Sequence, residues 1–219
     1  MQTGEAVTIV HGEQELFERT MHLFASASDV ACAANDLFTW ARARMAADLG
    51  ESYRHHRPAD ARIRKVYRSG MLLDPVAARS VARARDLHGA EIRITSDEIN
   101  ETIVLDRRIV ILAGDLQAGR RSFSILTQPE AVQGVISLFD AAWRSATDLA
   151  VYDTQIAEIR ELAPQVLDLL GQGVKDEAAA RTLHLGVRTY RRRVAELMDA
   201  LGAGSRFQAG VRARELGLV

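Results

Sequence analysis

The hydrophobic periodicity of this 219-residue chain changes character once. Up to about residue 150, short apolar or β-branched runs alternate with helical stripes; past Asp153 no strand candidate remains and every apolar pattern has helical spacing. A single sheet-centred core cannot run through both parts. The pattern predicts an α/β domain over residues 1–152, built on a mixed sheet with helices, followed by a small all-α helix-turn-helix domain over 153–219. A small charge asymmetry runs the same way: residues 156–219 carry 10 basic and 8 acidic groups, whereas the whole chain has 28 and 29.

Within the first part, Ala6 to Val10 and Val30 to Ala34 suit buried strands, and Leu16, Thr20, Leu23 and Ala27 follow a helical stripe. Asn35-Asp36 can cap a helix through Trp40 to Leu49, and a polar loop follows from Gly50 to Ala61. Ile63 to Tyr67 and Glu91 to Thr95 read as strands around a helix that opens at Asp74-Pro75 and ends near His88-Gly89, an acidic cap followed by Pro at the first turn. Thr102 to Leu105, Ile109 to Ala113 and Ser122 to Leu126 form a β-meander, its first turn being Asp106-Arg107-Arg108. Pro129-Glu130 then opens an amphipathic helix through Trp143.

Composition excludes several classes. At 47% hydrophobic and 26% charged the chain is an ordinary globular one, neither a disordered tail nor a fibre. No apolar run reaches bilayer length and Met1 to Glu5 show no secretory pattern, so a cytoplasmic location is expected. Cys32 stands alone, which rules out an internal disulfide, and inside an apolar run it reads as a small buried hydrophobe. His55-His56 lack a third ligand at usable spacing, so no metal is expected. Gly171-Gln172-Gly173 and Gly202-Ala203-Gly204 follow no strand and lack the Lys of a nucleotide loop, so they read as helix ends and no cofactor is expected. Trp40 and Trp143 are expected in the core, and His184 is expected to pack at a turn.

The informative segment is Asp176 to Leu201. A short helix to about Leu183, a three-residue turn and a longer helix from about Val187 have helix-turn-helix spacing. In the longer helix Tyr190, Val194, Leu197 and Leu201 recur at i, i+4, i+7 and i+11 and form one core-facing stripe. At 100° per residue, Arg188, Arg191, Arg192, Ala195 and Asp199 fall about 100 to 200° away. Three arginines in the front half of an exposed face suit a helix that enters a major groove by its N-terminal end, where Arg grips guanine O6 and N7 and Ala meets a thymine methyl. The same face is also what a solvated surface of an Arg-rich chain looks like, since 26 of its 28 basic residues are Arg. Arg193, on the flank of the stripe, is assigned to a phosphate or a structural pair.

Val166 to Gly173, Ala179 to Leu183, Gly186 to Arg191 and Leu201 to Ala209 resemble the LLxxG, IAxxL, SxRTVx and KLGxxSRxxA segments of the LuxR-type helix-turn-helix regulators, at the family's intervals. The resemblance implies that Arg188, Arg191, Arg192 and Ala195 face the groove, that Thr189, Ser205 and Arg206 hold the DNA backbone, and that Phe207 to Leu216 pair two subunits. The chain departs from the family where Arg160, Ala163, Pro164 and Gln165 replace its Thr-x-x-Glu opening, and at Ala179, Gly186 and Tyr190, where the family has Ile, Ser and Val.

The first part lacks the paired acidic residues of a phosphoreceiver and the aromatic wealth of an acyl-homoserine-lactone pocket. From Asp60 to Ala146 it resembles one half of a phospholipase D-like fold, as in TrmB-like regulators. Phospholipase D chemistry needs His-x-Lys-x4-Asp; aligning Asp106 with that Asp puts Ile99 and Glu101 at the His and Lys positions, where they can neither attack nor hold a phosphodiester. The resulting expectation is a non-catalytic, sequence-specific transcriptional regulator: a homodimer on an inverted repeat of double-stranded DNA, not at a membrane, whose first domain pairs subunits or senses a small-molecule effector of unknown identity. The alternatives are a divergent phosphodiesterase or other hydrolase, and a protein-interaction module that has lost DNA binding.

Overall fold

The alternating β-branched runs and polar breaks of the first part assemble into a mixed sheet. The structure, a computed structural model, describes residues 6–35, 61–117 and 119–219. The expected Asp36 cap, the helix at Trp40 to Leu49 and most of the loop with His55 and His56 lie outside the described residues. The chain divides into two compact units. One holds Met1–Tyr67, Ala84–Arg93 and Ile99–Ala146, and the other Arg68–Arg83, Ile94–Glu98 and Thr147–Val219. An α/β unit and a helical unit result, as the change of periodicity predicts.

In the first unit the strand order is β1 (Val7–His11), β7 (Arg120–Leu126), β6 (Ile109–Gln117), β5 (Thr102–Leu105), β2 (Asp29–Ala34), β3 (Arg62–Arg68) and β4 (Glu91–Thr95), the end of β4 leading into the second unit. β2 and β3 are parallel, in the register Val30 to Ile63. The β1–β7, β2–β5, β5–β6 and β6–β7 pairs are antiparallel, which completes the predicted meander. α1 (Glu13–Ser26) joins β1 to β2, and α2 (Pro75–His88), which belongs to the second unit as far as Arg83, begins where Asp74 caps the amides of Val76 and Ala77 at 2.9 and 3.2 Å. α3 (Pro129–Ser145) lays Val132, Ile136, Phe139 and Trp143 against Ala31, Ala33, Val66, Val104 and Val110 of the sheet. Trp143 is therefore core, as expected, stacked on Phe139 at 6.2 Å. Cys32 is buried, and loss of water around the thiol raises its pKa to about 11, so it behaves as the hydrophobe the sequence implies.

Two polar features of this unit do not show in its apolar pattern. Arg64 of β3 has a side chain only 9% exposed, paired with Asp140 at 3.0 Å and Asp29 at 3.8 Å and lying over the rings of Phe139 and Trp143 at 5.4 and 5.8 Å. Asp106 does more than turn the chain. With Arg107 it forms a positive-φ pair in the three-residue turn between β5 and β6, and its Oδ1 accepts from Ser28 N at 2.8 Å, Ser28 Oγ at 3.0 Å and Asp29 N at 2.9 Å. A residue placed to close one turn thus also ties down the start of a strand 77 residues earlier.

The helical unit contains β8 (Thr147–Asp148), α4 (Leu149–Gly171), α5 (Asp176–Thr182), α6 (Val187–Ala200) and α7 (Arg206–Glu215). The four helices are separated at the predicted glycine and histidine turns, but α4 starts at Leu149, capped by Asp148, and runs unbroken past Pro164. No helix opens at 160–165, so no acidic opening is needed there. Both glycine motifs are helix ends: Gly173 and Gly202 take positive φ, and the amides of Val174 and Ala203 bond back to Leu169 and Met198 at 3.1 and 2.8 Å. A buried 3-10 turn, Ser69–Leu73, completes the unit's core. Ser69 Oγ donates to Ala200 O at 2.6 Å, Arg160 Nε to Leu72 O at 2.7 Å, and a Cβ at Gly70 would fall 2.6 Å from Leu216 Cδ1.

Replacing Asp106 with Ala strands two backbone amides. It is expected to lower stability by about 1–3 kcal/mol, read as a lower urea midpoint, whereas Asn at 106, which tolerates positive φ and still accepts, is expected to keep most of it.

Candidate nucleic-acid interface

The turn between α5 and α6 is built by backbone conformation. His184 occupies the left-handed region at φ 54°, and the amides of His184 and Leu185 close on Arg181 O and Ala180 O at 3.1 and 2.8 Å, a Schellman end with His in the place usually taken by Gly. His184 is exposed, which corrects the expectation that it packs; its role here is conformational. After the turn, Gly186 starts α6 without a side-chain cap.

α6 buries the predicted stripe: Tyr190, Val194, Leu197 and the following Leu201 are each 2% exposed or less. Among the described residues Tyr190 is the largest fully buried side chain, and Ala179 and Ala180 of α5 are buried as completely. On the opposite face Arg188, Arg192 and Ala195 are exposed, while Thr189 is half-buried. Among the described residues Arg188 has no hydrogen bond or ion pair, and Arg192 comes no closer to an anion than 3.6 Å, from its Nε to Glu196 Oε1.

The two flanks of α6 are tied down. Arg193 pairs with Glu158 of α4 and, at 2.7 Å, with Glu196, so its role is the structural one of its two assignments. On the other flank Arg191 donates its Nε to Asp176 Oδ2 at 2.8 Å, with its Nη2 3.4 Å from Glu177. Asp176 also accepts both terminal nitrogens of Arg206, at 2.7 and 3.2 Å. One carboxylate at the first residue of α5, 14% exposed, therefore joins α5, α6 and α7. The adjacent guanidinium groups hold its pKa down to about 2, and the free amides of a helix N-terminus favour the anion as well. Ser205, grouped with Arg206 by the sequence, caps α7 by accepting from Gln208 N at 3.1 Å. The sequence does not single out Asp176, because its partners lie 15 and 30 residues away, a separation that no local pattern marks.

Beyond α6, α7 exposes Phe207 (84%) and Val211 (43%), one turn apart on the same side. In the first unit, Ile99 packs against the apolar core and Glu101 is buried against Arg121, whose Nη1 lies 2.5 Å from its Oε2. Among the described residues no group of three or more His, Cys, Asp or Glu is placed to hold a metal ion, and no helix is long and apolar enough to cross a membrane.

No family model matches the chain. It is 32% identical over 142 residues to the bialaphos biosynthetic pathway regulatory protein of Streptomyces hygroscopicus, an alignment that covers 64% of this chain and 56% of that protein; the chain thus spans about half the length of this relative. Solved structures resemble it remotely. TrmBL2, an archaeal chromatin protein, aligns with a TM-score of 0.48 at 16% identity over 68% of this chain and 56% of its own. Nuc, a phospholipase D family member from Salmonella typhimurium, aligns with a TM-score of 0.44 at 12% identity over 65% and 97%.

The depressed pKa of Asp176 fixes a pH window. Its ion pairs stabilise the helical unit above the ordinary aspartate value of 3.8 and are lost as pH falls towards 2. Thermal unfolding followed by circular dichroism is expected to show that loss between about pH 4 and pH 2, and Asp176→Asn is expected to remove that part of the acid dependence.

Proposed function

We propose that this chain is a DNA-binding transcriptional regulator whose helical unit reads duplex DNA through α6. The observation that carries the reading is the two-sidedness of α6: a fully buried stripe fixes the helix behind a tight turn, and the opposite face presents Arg188 and Arg192, with Ala195 about one turn beyond Arg192. In this reading Arg188, Arg192 and Ala195 face the major groove with Arg191 at its edge on the α5 side, and Thr189, Ser205 and Arg206 hold the backbone. The name of the Streptomyces relative, a pathway regulatory protein, supports the same class for the stretch the two chains share.

The regulator works as a homodimer. α7 is its pairing helix, with Phe207 and Val211 as the apolar contact, and two copies of α6 set about 34 Å apart meet successive major grooves of an inverted repeat. The α/β unit is non-catalytic and serves as a pairing or sensing platform; Ile99 and Glu101 at the positions of a phosphodiesterase's His and Lys support this. The DNA-reading domain is taken as residues 153–219, packed with the mid-chain pieces Arg68–Arg83 and Ile94–Glu98, and the platform as the remainder of 1–152.

Selection of genomic fragments by the purified chain is expected to enrich one inverted repeat, bound with an affinity that falls steeply as salt rises. Arg188→Ala is expected to weaken that site by about 1–3 kcal/mol while changing binding to random DNA far less. A chain that enriches nothing, with or without cell extract, is not a regulator of this kind. Phe207→Asp places a charge in the apolar contact, and sedimentation is expected to show a monomer; an unchanged dimer would remove α7 from the pairing role.

A further inference from the structure

Within the reading of α6 as the DNA-facing helix, on which this inference rests, we propose that Asp176 is the positioning residue of the interface. Its carboxylate holds Arg191 and Arg206 as struts directed at phosphates and leaves Arg188 and Arg192 as the side chains that read bases.

Which edge of each guanidinium is already held, and where the arginines of α6 sit on that helix, carry the argument. A guanidinium grips guanine O6 and N7 with two neighbouring N–H groups, whereas a phosphate oxygen is satisfied by one. Arg191 has Nε on Asp176 and Nη2 against Glu177, so the Nε–Nη2 edge of its fork is taken and the direction of its remaining N–H groups, on the Nη1 side, is set by that pairing. Arg206 has the Nη1–Nη2 end of its fork on Asp176 and keeps Nε–H and the outer hydrogen of each terminal nitrogen. Both side chains are still about half exposed, at 58% and 47%, so the unbonded edge of each is open to a phosphate. Arg188 and Arg192 keep the whole fork. Helical geometry agrees: relative to the buried stripe, Arg188 and Arg192 sit close to diametrically opposite, while Arg191 lies about a quarter-turn round, on the side of α5. The three arginines that the sequence sets on one exposed face are thus divided into two roles by a residue outside the helix.

Asp176 also has a cost for binding. It places a negative charge beside the surface that must approach phosphates, so it weakens attraction to any DNA while fixing where two of the cations stand. Removing the charge without changing the shape should therefore raise general affinity and lower discrimination together, which loss of a merely structural contact would not do.

The test uses the full chain and two probes, the enriched inverted repeat and a random-sequence duplex of equal length, titrated at several salt concentrations. Asp176→Asn is expected to bind the random duplex several-fold tighter, with a log–log salt slope steeper by about one, and to discriminate between the probes about tenfold less well. Asp176→Glu, which keeps the charge, is expected to retain most of the wild-type discrimination. A folded Asp176→Asn chain with wild-type slope and discrimination overturns the proposal. Arg188→Ala separates this from failure of the wider reading: if it leaves both probes unaffected, α6 does not face DNA, and the assignment of Asp176 falls with it. If the Asn variant does not fold, the Nε–H signal of Arg191 in the wild-type chain decides. A bonded, slowly exchanging signal both free and on the random duplex supports the proposal, and its loss on binding overturns it.

Discussion

The helical unit depends on a five-residue turn, Ser69–Leu73, that comes from the middle of the chain and is wholly buried. Helices of seven and ten residues, such as α5 and α7, form too few backbone hydrogen bonds to persist alone in water, so they exist only as parts of a packed core. That core has modest means of its own, since alanines fill much of it: Ala179, Ala180, Ala200, Ala203, Ala209 and Ala213 are all buried. Met71, Leu72 and Leu73 add larger apolar side chains, while Ser69 and Leu72 use their polar atoms on Ala200 and Arg160. Glu98, from the other mid-chain piece of the unit, binds Arg212 of α7 at 2.7 Å. The position of α6, and with it the face it presents, follows from this borrowed packing.

Charge is handled differently in the two units. In the α/β unit, Arg64 is taken out of water and compensated by two carboxylates and two aromatic faces; the desolvation cost is offset by several partners at once, and the result is a fixed internal brace. In the helical unit the arginines stay half-exposed and one carboxylate, Asp176, is shared between two of them. Such exposed pairs contribute little to stability individually, because water and salt screen them. Their value lies in direction, since a bidentate pair fixes the orientation of a flexible side chain.

Much of this architecture is legible in the sequence, because the signals that write it are local. The β5–β6–β7 meander, the Asp74-Pro75 start of α2, the stripe of α6 and the glycine ends of α4 and α6 are each set by residues within a few positions of one another. The buried Arg64 is not legible: in the Arg62–Arg68 strand it stands next to Lys65 and shares a face with Arg62 and Arg68, as a solvent-facing side chain would, and only the arrival of Phe139, Asp140 and Trp143 from α3 makes its site an interior one. Nor can the grouping of Arg68–Arg83 and Ile94–Glu98 with the last 73 residues be read, since pattern assigns an element its type and not its neighbours.

Local residue order sets which segments become helix or strand, and which face of α6 is apolar, because periodicity and capping act over one or two turns. What the polar face holds is set by packing between distant segments. Arg188, Arg191 and Arg192 are the same residue type on one helix, and their difference arises when α5 and α7 bring Asp176 and Arg206 to one flank. That juxtaposition spans 15 and 30 residues of chain, and it is made by packing that no local rule encodes.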